Sequence, residues 1–196
     1  MNLLGHLAAA VPLPSLQAGS VLGDSLKNRD LPGLPEEIVN GVRFHRACDV
    51  FTDSHPAVTA ARLTLGPGLR RVSGILIDVY FDHLLARNWD LFFPQPLEYE
   101  LNAFYLRLDA VGPILPPRAA ELAGWLTEKR LLQTFTSLGM VEATLRSVNR
   151  RLAGGTFHLE QALPRLLEND HDISENFSKF VPTLLEFSIR WRAGPR

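Results

Sequence analysis

Several classes of protein are excluded by what this sequence has little of. Its 196 residues include one cysteine, Cys48, so an intramolecular disulfide framework and a zinc site made of several cysteines are both excluded. Its 20 basic and 21 acidic residues leave a net charge of −1, which gives no indication of binding to nucleic acid or to a membrane surface. No apolar run reaches the roughly 18 residues of a transmembrane helix. We therefore expect a soluble protein in the cytoplasm.

Two kinds of motif are also missing. The sequence has none of the short alternating runs of Val, Ile and Thr that are typical of β-hairpins. It also has no phosphate-binding loop of the GxxxxGK[ST] type, so it is not a P-loop NTPase. Residues 1–14 are mostly apolar, but they lack a basic n-region, carry His6 within the run and are interrupted by Pro12 and Pro14. This favours a buried helix over a signal peptide.

What the sequence does have is helical periodicity, broken mainly by prolines. We predict an all-α fold, a compact multi-helix bundle that forms a single domain over residues 1–196. The predicted helices lie near residues 2–10, 15–28, 35–52, 56–64, 68–90, 97–111, 118–130, 131–152, 159–168 and 172–192. Aspartate and histidine are concentrated in residues 1–90, where we place the functional site, and helices in residues 97–192 complete the bundle.

The third predicted helix carries two polar residues on its apolar stripe. Ile38, Val42, His45 and Asp49 are spaced by four, three and four residues, which is the period of a helix face that packs on the core. A buried histidine and aspartate need a compensating partner, and a metal ion is one such partner. Pairing of the two side chains across one helical turn, or with an arginine from another helix, is the alternative.

A second helix repeats this anomaly. In RRVSGILIDVYFDHLLARNW, Asp78, Asp82 and His83 lie in a helix that is apolar on nearly every side. Asp78 and Asp82 are four residues apart, so their charges would repel each other unless a cation lies between them. The alternative is pairing with nearby arginines, namely Arg70, Arg71 or Arg87. Two helices with the same anomaly favour one shared metal site.

Three further residues are weaker candidates. Asp24 follows an apolar turn and His6 lies in the apolar first helix. Asp53 and Ser54, just before His55-Pro56, are typical of helix-capping residues. The dipeptide His171-Asp172 matches a phosphohydrolase hallmark, but its polar surroundings indicate the exposed start of a helix.

These blocks together resemble the acyl carrier protein phosphodiesterase family, a divergent branch of the HD-type metal-dependent phosphohydrolases. The resemblance rests on MNLLGHL, SLQAGSVLGD, GVRFHRACDVFTDSHP and RRVSGILIDVYFDHLLARNW, all within residues 1–90, and on a weaker similarity in NFSKFVP. It implies an HD-like helical bundle. Ala8, Ser20 and Asn88 depart from the family pattern.

The resemblance implies hydrolysis of the phosphodiester that joins 4′-phosphopantetheine to holo acyl carrier protein, with Mn²⁺ as the metal and Mg²⁺ or Fe²⁺ as alternatives. Asp78 would be the catalytic base. Arginines would meet the phosphate or the carrier, namely Arg46, Arg70 and Arg71. The metal ligands implied are Asp24, His45, Asp49, Asp82 and His83, with His6 and Asp53 held in reserve.

Two other functions remain open at this point. The same cluster would suit a phosphohydrolase that acts on a nucleotide or another small phosphate ester. The buried aspartates and histidines would also suit a non-catalytic helical binding protein with an internal polar network. We expect a monomer in each case.

Overall fold

The computed structural model describes residues 1–152 and 158–192, and in these ranges all regular secondary structure is helical. This confirms the predicted all-α fold. Short 3₁₀ turns link the α-helices, which are α1 Leu3–Ala9, α2 Gln17–Leu22, α3 Glu36–Ser54, α4 Pro56–Thr64, α5 Ser73–Arg87, α6 Leu97–Val111, α7 Pro117–Lys129, α8 Leu138–Arg151, α9 Leu163–Glu168 and α10 Asp170–Arg192.

Some helices are shorter than predicted. The range 15–28 contains α2 flanked by 3₁₀ turns at Pro14–Leu16 and Gly23–Ser25. The range 131–152 becomes a helix only at Leu138, because the Ser137 hydroxyl accepts a hydrogen bond from the amide of Gly139 and caps α8.

Helices α2 and α3 cross where two glycines meet, and this contact positions the site. A Cβ at Gly19 would lie 2.2 Å from the carbonyl oxygen of Ile38, and one at Gly41 would lie 2.5 Å from that of Leu16. Neither position has room for a side chain. The close crossing brings the backbone of Ser20 against the side of α3 that bears His45.

Helix α5 lies inside the molecule, as its apolar sequence predicted. Only four of its fifteen residues are partly or largely exposed, namely Gly74, Ile75, Asp78 and Arg87. It packs on α1, α4, α8 and α10. Buried apolar side chains between Leu4 and Leu184 form one hydrophobic cluster around it. No helix in the described ranges has the length and apolar character that crossing a membrane requires.

Candidate metal centre

The His45 ring is held in one orientation by the backbone. It is 3% exposed, and its Nδ1 lies 2.7 Å from the carbonyl oxygen of Ser20. A carbonyl can only accept, so Nδ1 carries the hydrogen and the lone pair of the neutral ring is on Nε2. Nε2 faces two carboxylates, at 3.2 Å from Asp49 Oδ2 and 3.4 Å from Asp24 Oδ1. Because the backbone of Ser20 makes this contact, a serine side chain is not required for it.

Gly23 makes room for this ring. A Cβ at Gly23 would lie 2.3 Å from Cγ of His45 and 2.7 Å from Nδ1. Its backbone has an ordinary helical φ of −52°, so the requirement is for space and not for an unusual conformation. Gly23 immediately precedes Asp24, and the same 3₁₀ turn thus seats the imidazole and carries one of its carboxylate neighbours.

His6 joins this group from α1. Its ring stacks on His45 with centroids 3.8 Å apart and planes 20° apart. Its Nε2 lies 3.2 Å from Asp49 Oδ1, yet neither ring nitrogen has a partner in hydrogen-bond geometry, although both are buried. Buried polar atoms are rarely left unsatisfied in this way, and such an atom calls for an explanation such as an ion.

His6, His45 and Asp49 can therefore hold a divalent metal ion. One ligand atom from each lies within 4.8 Å of the others. Imidazole and carboxylate ligands without thiolate suit ions such as Mn²⁺, Fe²⁺ or Zn²⁺. The unsatisfied nitrogens of His6 fit that use, and Nε2 of His45 fits it once the ring gives up the proton that it shares with Asp24 and Asp49. The direct pairing of His45 with Asp49 across one turn, considered as an alternative from the sequence, is also present.

The protonation states of these groups follow from burial and contact. Burial lowers the pKa of His6 to about 4, so that ring is neutral near pH 7. Burial would also lower the pKa of His45, but the adjacent carboxylates of Asp24 and Asp49 raise it to about 9. Burial opposes ionisation of Asp49 as well, and the two imidazoles outweigh it and hold the pKa of that carboxyl well below its usual range. Contact with His45 lowers the pKa of the largely exposed Asp24.

Asp78 borders this group from α5. Its Oδ2 lies 3.4 Å from the α-amino nitrogen of Met1, which is also 3.3 Å from Asp49 Oδ1. A cation thus sits between these two carboxylates. The pKa of Asp78 is raised, mainly by burial, although its side chain retains 25% exposure. The arginine recorded beside it is Arg62, with Nη2 4.0 Å from Oδ1, and not one of the arginines considered from the sequence.

Asp82 is joined to the same region by the backbone of α1. The amides of Leu4 and Gly5 donate hydrogen bonds of 2.9 and 2.8 Å to its two carboxylate oxygens. Burial raises the pKa of Asp82 to about 7. Asp82 therefore caps the first turn of α1, where Asn2 makes no side-chain cap. Through α1 it fixes the position of His6.

His83 points elsewhere. Its Nδ1 lies 2.7 Å from the carbonyl oxygen of Phe135, and its ring tilts against Tyr80. Its Nε2 is buried without a hydrogen-bond partner, and burial lowers its pKa. The charged groups that act on it are Arg87 and Asp170. Among the described residues, none of its recorded contacts is with the group around His45.

The remaining predicted residues lie at the surface. Asp53 is exposed and pairs with Arg62, with 2.7 Å between Oδ1 and Nη2. The three arginines assigned to the substrate, Arg46, Arg70 and Arg71, are exposed. His171 and Asp172 are also exposed in the first turn of α10, as predicted, and with Glu175 they form a second group that could hold an ion.

Fold and site together define a class, that of all-helical proteins with a partly buried histidine–aspartate centre suited to a divalent cation. Comparison with known proteins is more specific. The family model for acyl carrier protein phosphodiesterase matches residues 1–184, and the chain belongs to that family.

Individual relatives agree with this assignment. An acyl carrier protein phosphodiesterase from Yersinia pestis is 33% identical over 192 residues, which is 94% of this chain and 96% of the relative. Proteins of the same name from Enterobacter sp. (strain 638) and Salmonella agona (strain SL483) are each 31% identical over 77% of this chain and 79% of their own length. No solved structure matches significantly.

Proposed function

We propose that this protein is a metal-dependent phosphodiesterase that removes 4′-phosphopantetheine from holo acyl carrier protein. Water is added across the phosphodiester, so that the carrier serine recovers its hydroxyl and the phosphate leaves with the pantetheine arm. The observation that carries this proposal is the group of His6, His45 and Asp49, two of which are buried, in a chain of the acyl carrier protein phosphodiesterase family.

We assign the metal to His6, His45 and Asp49, with Asp24 beside them and Mn²⁺ as the preferred ion. When bound, such an ion neutralises charge on phosphoryl oxygens and lowers the pKa of water. His6 enters this set because its nitrogens are buried without hydrogen-bond partners. We assign Asp82 the role of holding α1 in place, and His83 that of anchoring α5 to Phe135, in place of the direct ligation expected from the sequence.

Asp78 is the group we assign to proton transfer. A general base works best when its pKa lies near the operating pH, and the pKa of Asp78 is displaced upward by burial. Its side chain keeps some access to solvent, which a base acting on water requires. A small apolar crevice lies next to Asp78 and is lined in part by Phe81, Leu85, Phe177 and Val181.

The exposed Arg46, Arg70 and Arg71 are assigned to the carrier protein, where they would contact its acidic surface. We further propose that the protein acts as a monomer in the cytoplasm. The buried free thiol of Cys48 is compatible with that reducing compartment.

The test is to incubate the purified protein with holo acyl carrier protein, with and without Mn²⁺, and to follow the carrier by mass spectrometry. We expect loss of the 4′-phosphopantetheine mass only with metal, and no loss with His6→Ala or Asp49→Ala. Asp172→Ala, in the exposed group of α10, is the matched control and should remain active. If the carrier stays intact with every metal tried, while another phosphate ester is hydrolysed, the assignment of the substrate is wrong.

A further inference from the structure

Arg62 on α4 is a cation at the edge of the centre that the assignments above leave without a role. Its side chain is 23% exposed, and Nη2 donates a 2.7 Å hydrogen bond to Asp53 Oδ1. The same nitrogen lies 4.0 Å from Asp78 Oδ1, which is too far for a hydrogen bond. Asp53 thus holds the guanidinium in place, and Asp78 accepts no hydrogen bond from it.

Much of the hydrogen-bonding capacity of Arg62 is unused. A guanidinium has five N–H donors in one plane. In this structure its Nε is buried and has no hydrogen-bond partner. The neighbour on one side is Gly74, where even an added Cβ would lie 3.6 Å from the guanidinium carbon. Nε itself is closed to a ligand, but the guanidinium is held by one carboxylate and its side chain keeps 23% exposure, so its exposed part can bind an anion.

The carboxylates of the site favour a further cation beside the Met1 ammonium and the proposed metal ion. A phosphodiester is an anion, and it would approach a centre surrounded by the carboxylates of Asp24, Asp49 and Asp78. A planar guanidinium can bind two oxygens of a phosphate at once, which a lysine cannot do. Arg46 and Arg70 are exposed on the surface, whereas Arg62 is partly buried and already held by Asp53.

We propose that Arg62 binds a non-bridging oxygen of the substrate phosphate, and that Asp53 is the positioning residue that orients it. This inference rests on the proposed phosphodiesterase function and adds a substrate-binding residue to it. It also gives a role to Asp53, which the sequence suggested as a reserve candidate at a helix end.

The test compares Arg62→Gln and Arg62→Lys with the wild-type protein loaded with Mn²⁺. Binding of inorganic phosphate and of 4′-phosphopantetheine is measured by calorimetry, and Mn²⁺ affinity is measured separately by electron paramagnetic resonance. Because hydrogen bonds between charged groups are worth more than neutral ones, Arg62→Gln should weaken phosphate binding about 10-fold or more. Arg62→Lys should recover part of the loss, and Mn²⁺ affinity should stay within about 2-fold, since Arg62 is not a ligand.

Matched controls separate this role from general effects on charge and stability. Arg146→Gln removes an exposed, ion-paired arginine on α8 and should leave phosphate binding unchanged. Asp53→Asn should weaken phosphate binding less than Arg62→Gln. With the carrier as substrate, Arg62→Gln should raise KM more than it lowers kcat.

The outcomes for this inference and for the proposed function are distinct. If Arg62→Gln folds and binds phosphate as tightly as the wild type, the role of Arg62 is refuted even if the carrier is cleaved. A parallel loss of Mn²⁺ affinity would refute it too, because Arg62 would then act through Asp78 and the metal. If phosphate binding depends on Arg62 but the carrier is never cleaved, the role of Arg62 is supported and the assigned substrate is wrong.

Discussion

At the scale of single residues, the centre depends on the absence of a side chain at Gly23. A Cβ there would overlap the His45 ring at 2.3 Å, so Gly23→Ala must displace the imidazole or the turn. We expect the free energy of unfolding to fall by about 1–3 kcal/mol, the usual cost of overpacking. Mn²⁺ affinity, measured by calorimetry, should fall about 10- to 100-fold, as when the support of a metal ligand is disturbed.

The control for this substitution is Gly124→Ala on α7. Nothing lies within 4 Å of the Cβ that it would add. Because alanine favours helix over glycine, this variant should be as stable as the wild type or up to about 1 kcal/mol more stable. Unchanged Mn²⁺ affinity in Gly23→Ala would show that the position of the His45 ring does not matter for the metal.

Asp82 gives a second test at this scale, because it accepts two amide hydrogen bonds from α1, whereas the sequence suggested that it is a metal ligand. Asp82→Ala leaves the amides of Leu4 and Gly5 without an acceptor, and we expect urea denaturation to give a loss of about 1–3 kcal/mol. Asp82→Asn keeps one acceptor oxygen and should recover part of that loss. If Asp82→Asn is stable but loses all Mn²⁺ affinity, direct ligation by Asp82 is the better assignment.

Some residues of the centre can be identified from the sequence, and others cannot. Spacing on one helix face was enough to select His45 and Asp49, because period alone reports which side of a helix is buried. Spacing does not identify His6 as a metal ligand, since a single histidine on an apolar helix is usually an ordinary core residue. Its role depends on α1 packing beside α3. Arg62 was missed because its partner Asp53 lies on the preceding helix, nine residues earlier, and only the turn at His55 and Pro56 brings them together.

At the scale of helices, the start of α4 is sensitive to pH. His55 Nδ1 accepts a 3.2 Å hydrogen bond from the amide of Ala57, and Nε2 lies 3.0 Å from the hydroxyl of Thr183. That hydroxyl donates to the carbonyl of Phe180, so Nε2–H donates to Thr183 and the ring is neutral. Burial lowers the pKa of His55. Protonation at Nδ1 would remove the cap of α4.

The sign of the pH effect follows from the lowered pKa. The neutral ring stabilises the folded protein above the unfolded pKa of about 6.5, and this contribution is lost as pH falls through the lower folded pKa. At pH 8 the wild type should exceed His55→Ala by about 0.5–2 kcal/mol in free energy of unfolding. The difference should shrink toward pH 5. The pH-dependent contributions of the other histidines cancel in this difference, because both proteins contain them. A difference that is constant with pH would contradict this account.

The sequence predicted helix positions better where proline sets the boundary. The predicted ranges 56–64 and 97–111 match α4 and α6, because Pro56 opens one helix and Pro96 precedes the other. The sequence did not predict the helix boundaries that depend on a left-handed residue or on a side-chain cap. Residues Leu131–Thr136 form a 3₁₀ segment between Arg130, which adopts a left-handed φ of 46°, and the cap at Ser137. Neither feature leaves a clear pattern in the sequence.

At the scale of the whole molecule, the centre joins segments that are far apart in the chain. His6 lies on α1, Asp24 on the turn after α2, and His45 and Asp49 on α3. The unfolded chain does not hold these groups together, so an ion that binds them favours the folded state. At a free ion concentration of 100 times Kd, the expected stabilisation is about 2.7 kcal/mol.

We therefore expect Mn²⁺ to raise the Tm of the wild-type protein and EDTA to lower it. His6→Ala should reduce this metal-dependent shift, because it removes the residue that brings α1 to the ion. Ser174→Ala changes a residue of α10 that is outside the centre and should leave the shift intact. His171→Ala is the stricter control, because it disrupts the exposed group of His171, Asp172 and Glu175. If His171→Ala abolishes the shift and His6→Ala does not, the ion binds at the surface of α10 and the buried residues form a polar network without metal.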